Sequence, residues 1–119
     1  IILKKMKKKQ NNLVSVIINC HNGEKFVERC ISSVLKQSYK KFEVIFWDNK
    51  STDRTYKKLQ TFKDKRIKYF KSQNFTKLYH ARNLALKKAS GYYVSFLDID
   101  DTWEVDKIKK QFNKLKKNN

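Results

Sequence analysis

Tyr92-Tyr93-Val94-Ser95-Phe96-Leu97-Asp98-Ile99-Asp100-Asp101 runs from an apolar segment of strand length into three aspartates within four residues. The whole chain has 11 acidic side chains against 29 Lys plus Arg, so this clustering stands out from its background. Side chains alternate along an extended chain, which would put Asp98 and Asp100 on one side, roughly 6.5 Å apart. Two carboxylates that close repel unless one is protonated or a cation lies between them. Hard divalent ions such as Mg²⁺ or Mn²⁺ take oxygen ligands and often complete their shell with substrate phosphates. The stretch therefore predicts a metal–diphosphate site at the end of a buried strand. Its alternative is a solvated acidic turn, with Asp101 capping the next helix and Glu104 completing a capping box.

Working outward, residues 13–19 are β-branched and almost wholly apolar, as a central parallel strand buried on both faces should be. They lead into the loop Cys20-His21-Asn22-Gly23. Residues 25–37 place Phe26, Val27, Cys30, Ile31, Val34 and Leu35 on one helical stripe. A second strand, residues 42–47, closes on Asp48, and Ser51-Thr52-Asp53 offers a cap and a first-turn acid for a helix carrying Tyr56, Leu59 and Phe62. A short third strand is expected at 66–70. The next helix, 78–89, aligns Ala81, Ala85 and Ala89 in one row and ends at Ser90-Gly91, with Gly91 as the terminating glycine. A last amphipathic helix, 102–115, follows the acidic stretch. Strand and helix alternate four times. That predicts an α/β fold with a doubly wound, mainly parallel, Rossmann-like sheet of four βα units. In such sheets ligands bind outside the carboxyl ends of the strands, where strand order reverses. Asn22, Asp48 and Asp98 to Asp101 all fall at strand ends.

The 119 residues suit one domain, expected at 13–115 behind a basic flexible tail at 1–12. At 39% hydrophobic and 13% aromatic the chain can build a core despite a net charge of +18. No apolar run approaches a membrane span, and no signal-peptide pattern is present. Cys20 and Cys30 match no metal or redox spacing and read as reduced thiols of a cytoplasmic protein. Of the 29 basic residues only Arg29, Arg54, Arg66 and Arg82 are Arg. Base readout and bidentate phosphate recognition favour Arg, so the lysine skew argues against a nucleic-acid partner. The excess positive charge suits anionic substrates or peripheral association with anionic lipid headgroups.

Four stretches in this order resemble the nucleotide-sugar-binding half of a family 2 glycosyltransferase of the GT-A fold. They are Val14-Ser15-Val16-Ile17-Ile18 with Asn22; the second strand with Asp48 and Ser51-Thr52-Asp53; Ala81-Arg82-Asn83; and Leu97-Asp98-Ile99-Asp100-Asp101 with Trp103, Asp106 and Lys107. The resemblance implies an inverting transfer from a nucleoside-diphosphate sugar, typically a UDP-sugar, to a glycan or lipid-linked acceptor in surface polysaccharide or lipooligosaccharide synthesis. It implies that Asp48 accepts a hydrogen bond from the base and that Asp98, first acid of a D-x-D motif, lies near the ribose. Asp100, with Asp101 beside it, would hold Mn²⁺ or Mg²⁺. Asn22 would line the donor crevice, and Arg82 would bring positive charge to the base or phosphates.

The chain departs from the family pattern at several places. Asn19 and Val105 stand where proline is usual, Lys50 where glycine is usual, and the loop 75–79 lacks its glycine. An inverting transfer needs a general base on the acceptor hydroxyl, and no residue of this chain matches it. His21 and His80 read as ordinary loop and helix residues, Asp53 and Asp106 as cap or surface acids. The expectation is a donor-binding domain without its acceptor half; a truncated, non-catalytic nucleotide-binding module is the alternative.

Overall fold

The computed structural model describes residues 2–4 and 12–117. The strands are β1 (Ile2–Lys4), β2 (Val14–Cys20), β3 (Phe42–Asp48), β4 (Ile67–Lys71) and β5 (Tyr93–Asp98). The helices are α1 (Val27–Leu35), α2 (Thr55–Leu59), α3 (Leu78–Leu86) and α4 (Lys107–Lys117). One sheet joins the strands in the order β1-β5-β2-β3-β4. β2 to β5 are mutually parallel, and β1 lies antiparallel on β5 at the edge. The stretch expected as a tail thus contributes an edge strand at Ile2–Lys4; residue 1 and residues 5–11 lie outside the described residues.

The doubly wound topology follows from handedness. β2, β3 and β4 advance in one direction, and right-handed crossovers put α1 and α2 on one face of the sheet. From β4 the chain returns to the far side of β2, so the same handedness sends α3 across the opposite face. Strand order therefore reverses between β2 and β5.

Strand alternation divides the interior into two cores. Val14, Val16, Ile18, Val44, Phe46 and Leu97 face α1, α2 and α4, where they meet Val27, Ile31, Val34, Leu59, Ile108 and Phe112. Ile17, Ile45, Trp47 and Val94 face α3 and meet Ala81, Ala85 and Ala89. Each fully buried side chain of the size of Phe46 or Ile17 contributes about 1.5–3 kcal/mol. Among them Glu43 is only 3% exposed. It accepts from Ser15 Oγ (2.5 Å), Ser90 N (2.7 Å), Ser90 Oγ (2.9 Å) and Lys68 Nζ (2.8 Å), tying three strands to the turn before β5.

Two expected boundaries move. α3 stops at Leu86, so Gly91 does not terminate it, and neither glycine has a positive φ. Gly91 is needed because a Cβ there would lie 2.6 Å from Ser15 Oγ and 2.7 Å from the Leu13 carbonyl oxygen. α4 begins at Lys107, not at 102, because buried Gln37 holds the preceding segment. Its Nε2 donates to the Glu104 carbonyl (2.6 Å), and its Oε1 accepts from Ile108 N (2.9 Å). Trp103 N donates to Ser33 Oγ and Ser38 N to the Val105 carbonyl, leaving no turn of helix between them.

Candidate functional site

The carboxyl ends of β2 and β5 are adjacent, with Asn19 opposite Asp98 in register. The loops that leave them touch. At Gly23 a Cβ would lie 2.5 Å from Cys20 Sγ and 3.0 Å from Ile99, so only glycine lets the first loop rest on the acidic one. β5 ends at Asp98, and Ile99-Asp100 form a turn closed by Asp101 N donating to the Asp98 carbonyl (3.0 Å). Strand alternation therefore does not extend to Asp100, and the shared side expected for Asp98 and Asp100 has no basis in the backbone. Asp101 is no helix cap either: its Oδ1 accepts from the next N–H, Thr102 (3.0 Å), five residues before α4.

All three aspartates are exposed. Asp98 meets Arg82, which reaches from α3 to its Oδ1 at 3.2 Å and also lies over the Phe96 ring. Both partners are solvated, so this pair holds Asp98 weakly and is open to exchange. Arg29, on α1, donates to the Asp100 carbonyl (3.2 Å) and fixes the turn. Among the described residues no hydrogen bond or ion pair engages the Asp100 carboxylate. Nor do three His, Cys, Asp or Glu side chains converge as a closed metal cage. Exposed, hard carboxylate oxygens without a cage suit an ion held by one or two protein ligands plus substrate phosphates and water.

Asn22 lies at φ 52° in the left-handed region, which Asn tolerates better than most residues. Its Oδ1 accepts from Thr52 N (2.7 Å) and Asp53 N (3.3 Å), and its backbone N–H donates to Ser51 Oγ (2.8 Å). Asn22 thus pins the loop after β2 to the loop after β3. Asp53 ties the same loops from below: Oδ2 accepts from Glu24 N and Oδ1 from Thr55 N and Oγ1. Burial pushes its carboxyl upward, but these bonds outweigh it and leave the pKa below the ordinary aspartate value. Asp53 is the loop and helix-start acid the sequence suggested.

Asp48 is 1% exposed. Oδ1 accepts from Ser51 N (2.9 Å) and Oδ2 from the Tyr69 hydroxyl (2.5 Å). Burial and the Asp48 carboxylate together raise the Tyr69 pKa, keeping the phenol protonated as donor. Its carboxylate thus faces inward and shapes the loop 48–52. Asn49, not singled out in the sequence, clamps residue 76 from both sides: Nδ2 donates to the Thr76 carbonyl and Oδ1 accepts from Thr76 N. Lys50 then takes φ 55°, the conformation for which glycine is usual. Lys50, Ser51, Thr52, Lys71, Ser72 and Gln73 line a groove of about 480 Å³ at the ends of β3 and β4. His21 Nδ1 lies 2.7 Å from the Asn49 carbonyl, which only accepts, so this nitrogen carries the proton and His21 serves as a loop brace.

Residues 15–119 match the sequence profile of glycosyl transferase family 2. The chain belongs to that family. The Escherichia coli UDP-Glc:alpha-D-GlcNAc-diphosphoundecaprenol beta-1,3-glucosyltransferase WfgD is 42% identical over 107 residues, which cover 90% of this chain and 42% of that protein. The chain thus spans less than half the length of that curated relative. TarS 1-349 from S. aureus, in complex with UDP, superposes with a TM-score of 0.81 at 30% identity, covering 87% of this chain and 32% of that one. The mannosyltransferase PcManGT from Pyrobaculum calidifontis, with GDP-Man and Mn²⁺, gives a TM-score of 0.76 at 28% identity, covering 87% and 31%. These neighbours share the GT-A architecture, so this family 2 chain has the fold its sequence predicted.

Arg29, Gln37, Asn49 and Tyr69 are the site-shaping residues the sequence reading missed. Each acts through a contact 21 to 71 residues distant in the chain, and none carries a local motif. Tyr69 had one signal: in register with Phe46, it shares the face on which Asp48 must lie.

Proposed function

We propose that this chain is the donor-binding half of a metal-dependent, inverting glycosyltransferase that takes a nucleoside-diphosphate sugar, most simply a UDP-sugar. The acceptor would be a glycan or a lipid-linked saccharide in surface polysaccharide or lipooligosaccharide assembly, reached from the cytoplasmic side. The observation that carries this reading is the exposed carboxylate group Asp98, Asp100, Asp101 at the strand-order reversal, against the loop of Asn22. The UDP complex of TarS and the GDP-Man and Mn²⁺ complex of PcManGT support it by similarity.

Asp100 and Asp101 would hold the divalent ion, Mn²⁺ or Mg²⁺. When bound, that ion would neutralise charge on the departing diphosphate as a Lewis acid. Arg82 leaves Asp98 at little cost and supplies positive charge to the phosphates, freeing Asp98 for a ribose hydroxyl. Asn22 and Asp48 act by position: they hold the loop 48–53, which flanks the nucleotide, with Asp48 bonded to its backbone rather than open to the base. The general base would come from outside the described residues. A non-catalytic nucleotide-binding module remains the second reading because none of these residues fits that role.

Calorimetric titration with UDP, with and without Mn²⁺, tests the proposal. Metal-dependent binding is expected, weakened at least about tenfold (about 1.4 kcal/mol) by Asp100→Asn. Equal affinity without metal and in the variant would overturn it. Hydrolysis or transfer of UDP-glucose or UDP-galactose then separates enzyme from module.

A further inference from the structure

Among the described residues five large apolar side chains are exposed, and three of them fall within five positions: Phe75 (59%), Leu78 (52%) and Tyr79 (75%). The other two, Tyr56 and Val105, lie singly elsewhere. Leu78 shares the helical stripe of the sheet-facing Ala81 and Ala85, and Tyr79 lies about a quarter-turn round from it; both are nonetheless exposed at the first turn of α3. The trio is firmly presented. The Asn49 side chain clamps residue 76 on both backbone groups, and the Phe75 ring stacks edge-on against His21 with centroids 4.7 Å apart. That stacking joins the patch to the rim of the candidate donor site.

The segment that carries it is one-sided in charge, although Arg66, Lys68 and Arg82 within it are ion-paired to Asp64, Glu43 and Asp98. From residue 65 to residue 97 the chain has eight Lys or Arg and no Asp or Glu. Lys71 and Lys77 flank Phe75, while Lys87 and Lys88 follow α3, all four exposed. α4 is as rich in lysine, but its apolar residues Ile108 and Phe112 are buried, and α2 exposes a single Tyr56 beside its lysines.

We propose that the first turn of α3 and the loop before it, centred on Phe75, Leu78 and Tyr79, dock onto an anionic lipid surface. Phe, Leu and Tyr insert at the headgroup boundary, and the surrounding lysines are drawn to its negative potential. A second copy of the chain is a poor occupant, because an isologous contact would set two lysine-rich segments without acids of their own against each other in a molecule of net charge +18. The inference deepens the functional reading and rests on it in one respect: a lipid-linked acceptor would lie in the surface that this patch holds beside the donor site.

Co-sedimentation of the full chain with phosphatidylcholine vesicles, with and without phosphatidylglycerol, tests the surface. Binding is expected only with phosphatidylglycerol, and added salt should weaken it. Leu78→Ser/Tyr79→Ser should lower partitioning roughly tenfold or more. In a Tyr79→Trp variant, indole emission should shift to the blue when those vesicles are added. Equal binding to both vesicles, unchanged partitioning of the double variant, or an unshifted indole would overturn the proposal. So would a lipid-free dimer, seen by ultracentrifugation, that the double variant dissolves. A UDP titration of the same samples keeps the two readings apart: lost UDP binding with vesicle binding intact counts against the nucleotide reading alone.

Discussion

Lys50 holds a backbone conformation, φ 55°, that costs an L-residue roughly 1–2 kcal/mol relative to the right-handed region. The neighbouring bonds impose it: Lys50 N donates to the Asp48 carbonyl (2.9 Å) while the Asp48 carboxylate takes Ser51 N. Glycine carries no such penalty, and its departure from the family pattern is therefore a strained substitution. Lys50→Gly should raise the free energy of unfolding by about 1 kcal/mol, read as a higher urea midpoint at unchanged slope. An unchanged midpoint would mean that the lysine side chain offsets the strain through contacts of its own. At the same scale, burial pushes the thiols of Cys20 and Cys30 up to about 12, which leaves both neutral and unreactive in the folded chain. Both are free and buried, packed into the core on the α1 side of the sheet.

α3 is the element whose local pattern says most about its packing. The small residues Ala81, Ala85 and Ala89 let the helix lie close on Ile17, Ile45 and Val94. Ala85→Leu would drive three carbons into a fully packed layer and should cost about 1–3 kcal/mol by thermal or denaturant unfolding. A neutral result would show that α3 can move away from the sheet. The segment before α4 teaches the opposite lesson. Asp101 and Glu104 are spaced as a capping box, yet residues 102–106 are not helical, since Gln37 and Ser33 bind their backbone groups from α1 and its end. A buried glutamine with two strong partners outcompetes a solvent-exposed cap, whose typical worth is about 1 kcal/mol.

Over the whole molecule, Glu43 is the buried one of three carboxylates, with Asp53 and Asp64, whose lowered pKa makes stability depend on acid. Burial alone would raise its carboxyl pKa, but hydrogen bonds from Lys68, Ser15 and Ser90 outweigh burial and leave it lowered. A folded pKa below the unfolded one favours the ionised native state. Its contribution is therefore complete above the ordinary glutamate value of about 4.3 and is lost as pH falls through the folded value. Unfolding midpoints should drop on acidification in that window, with a flatter acid limb in Glu43→Gln. An identical pH profile in that variant would assign acid sensitivity to other carboxylates.

The amino-acid sequence by itself determined the α/β class, the alternation of four strands with four helices from residue 13 onward and the strand-end placement of Asn22, Asp48 and Asp98 to Asp101. Those properties depend on apolar periodicity and short turns, which are local. Only the tertiary structure decided that Asp48 points inward to Tyr69, that Arg82 meets Asp98, that the acidic motif sits on a turn, and that α4 starts late. Asp48 and the start of α4 are set by buried partners distant in the chain, because a buried polar group left unpaired costs about 1–3 kcal/mol. The solvated Arg82–Asp98 pair and the exposed turn, fixed by Arg29, depend instead on which elements the topology brings together.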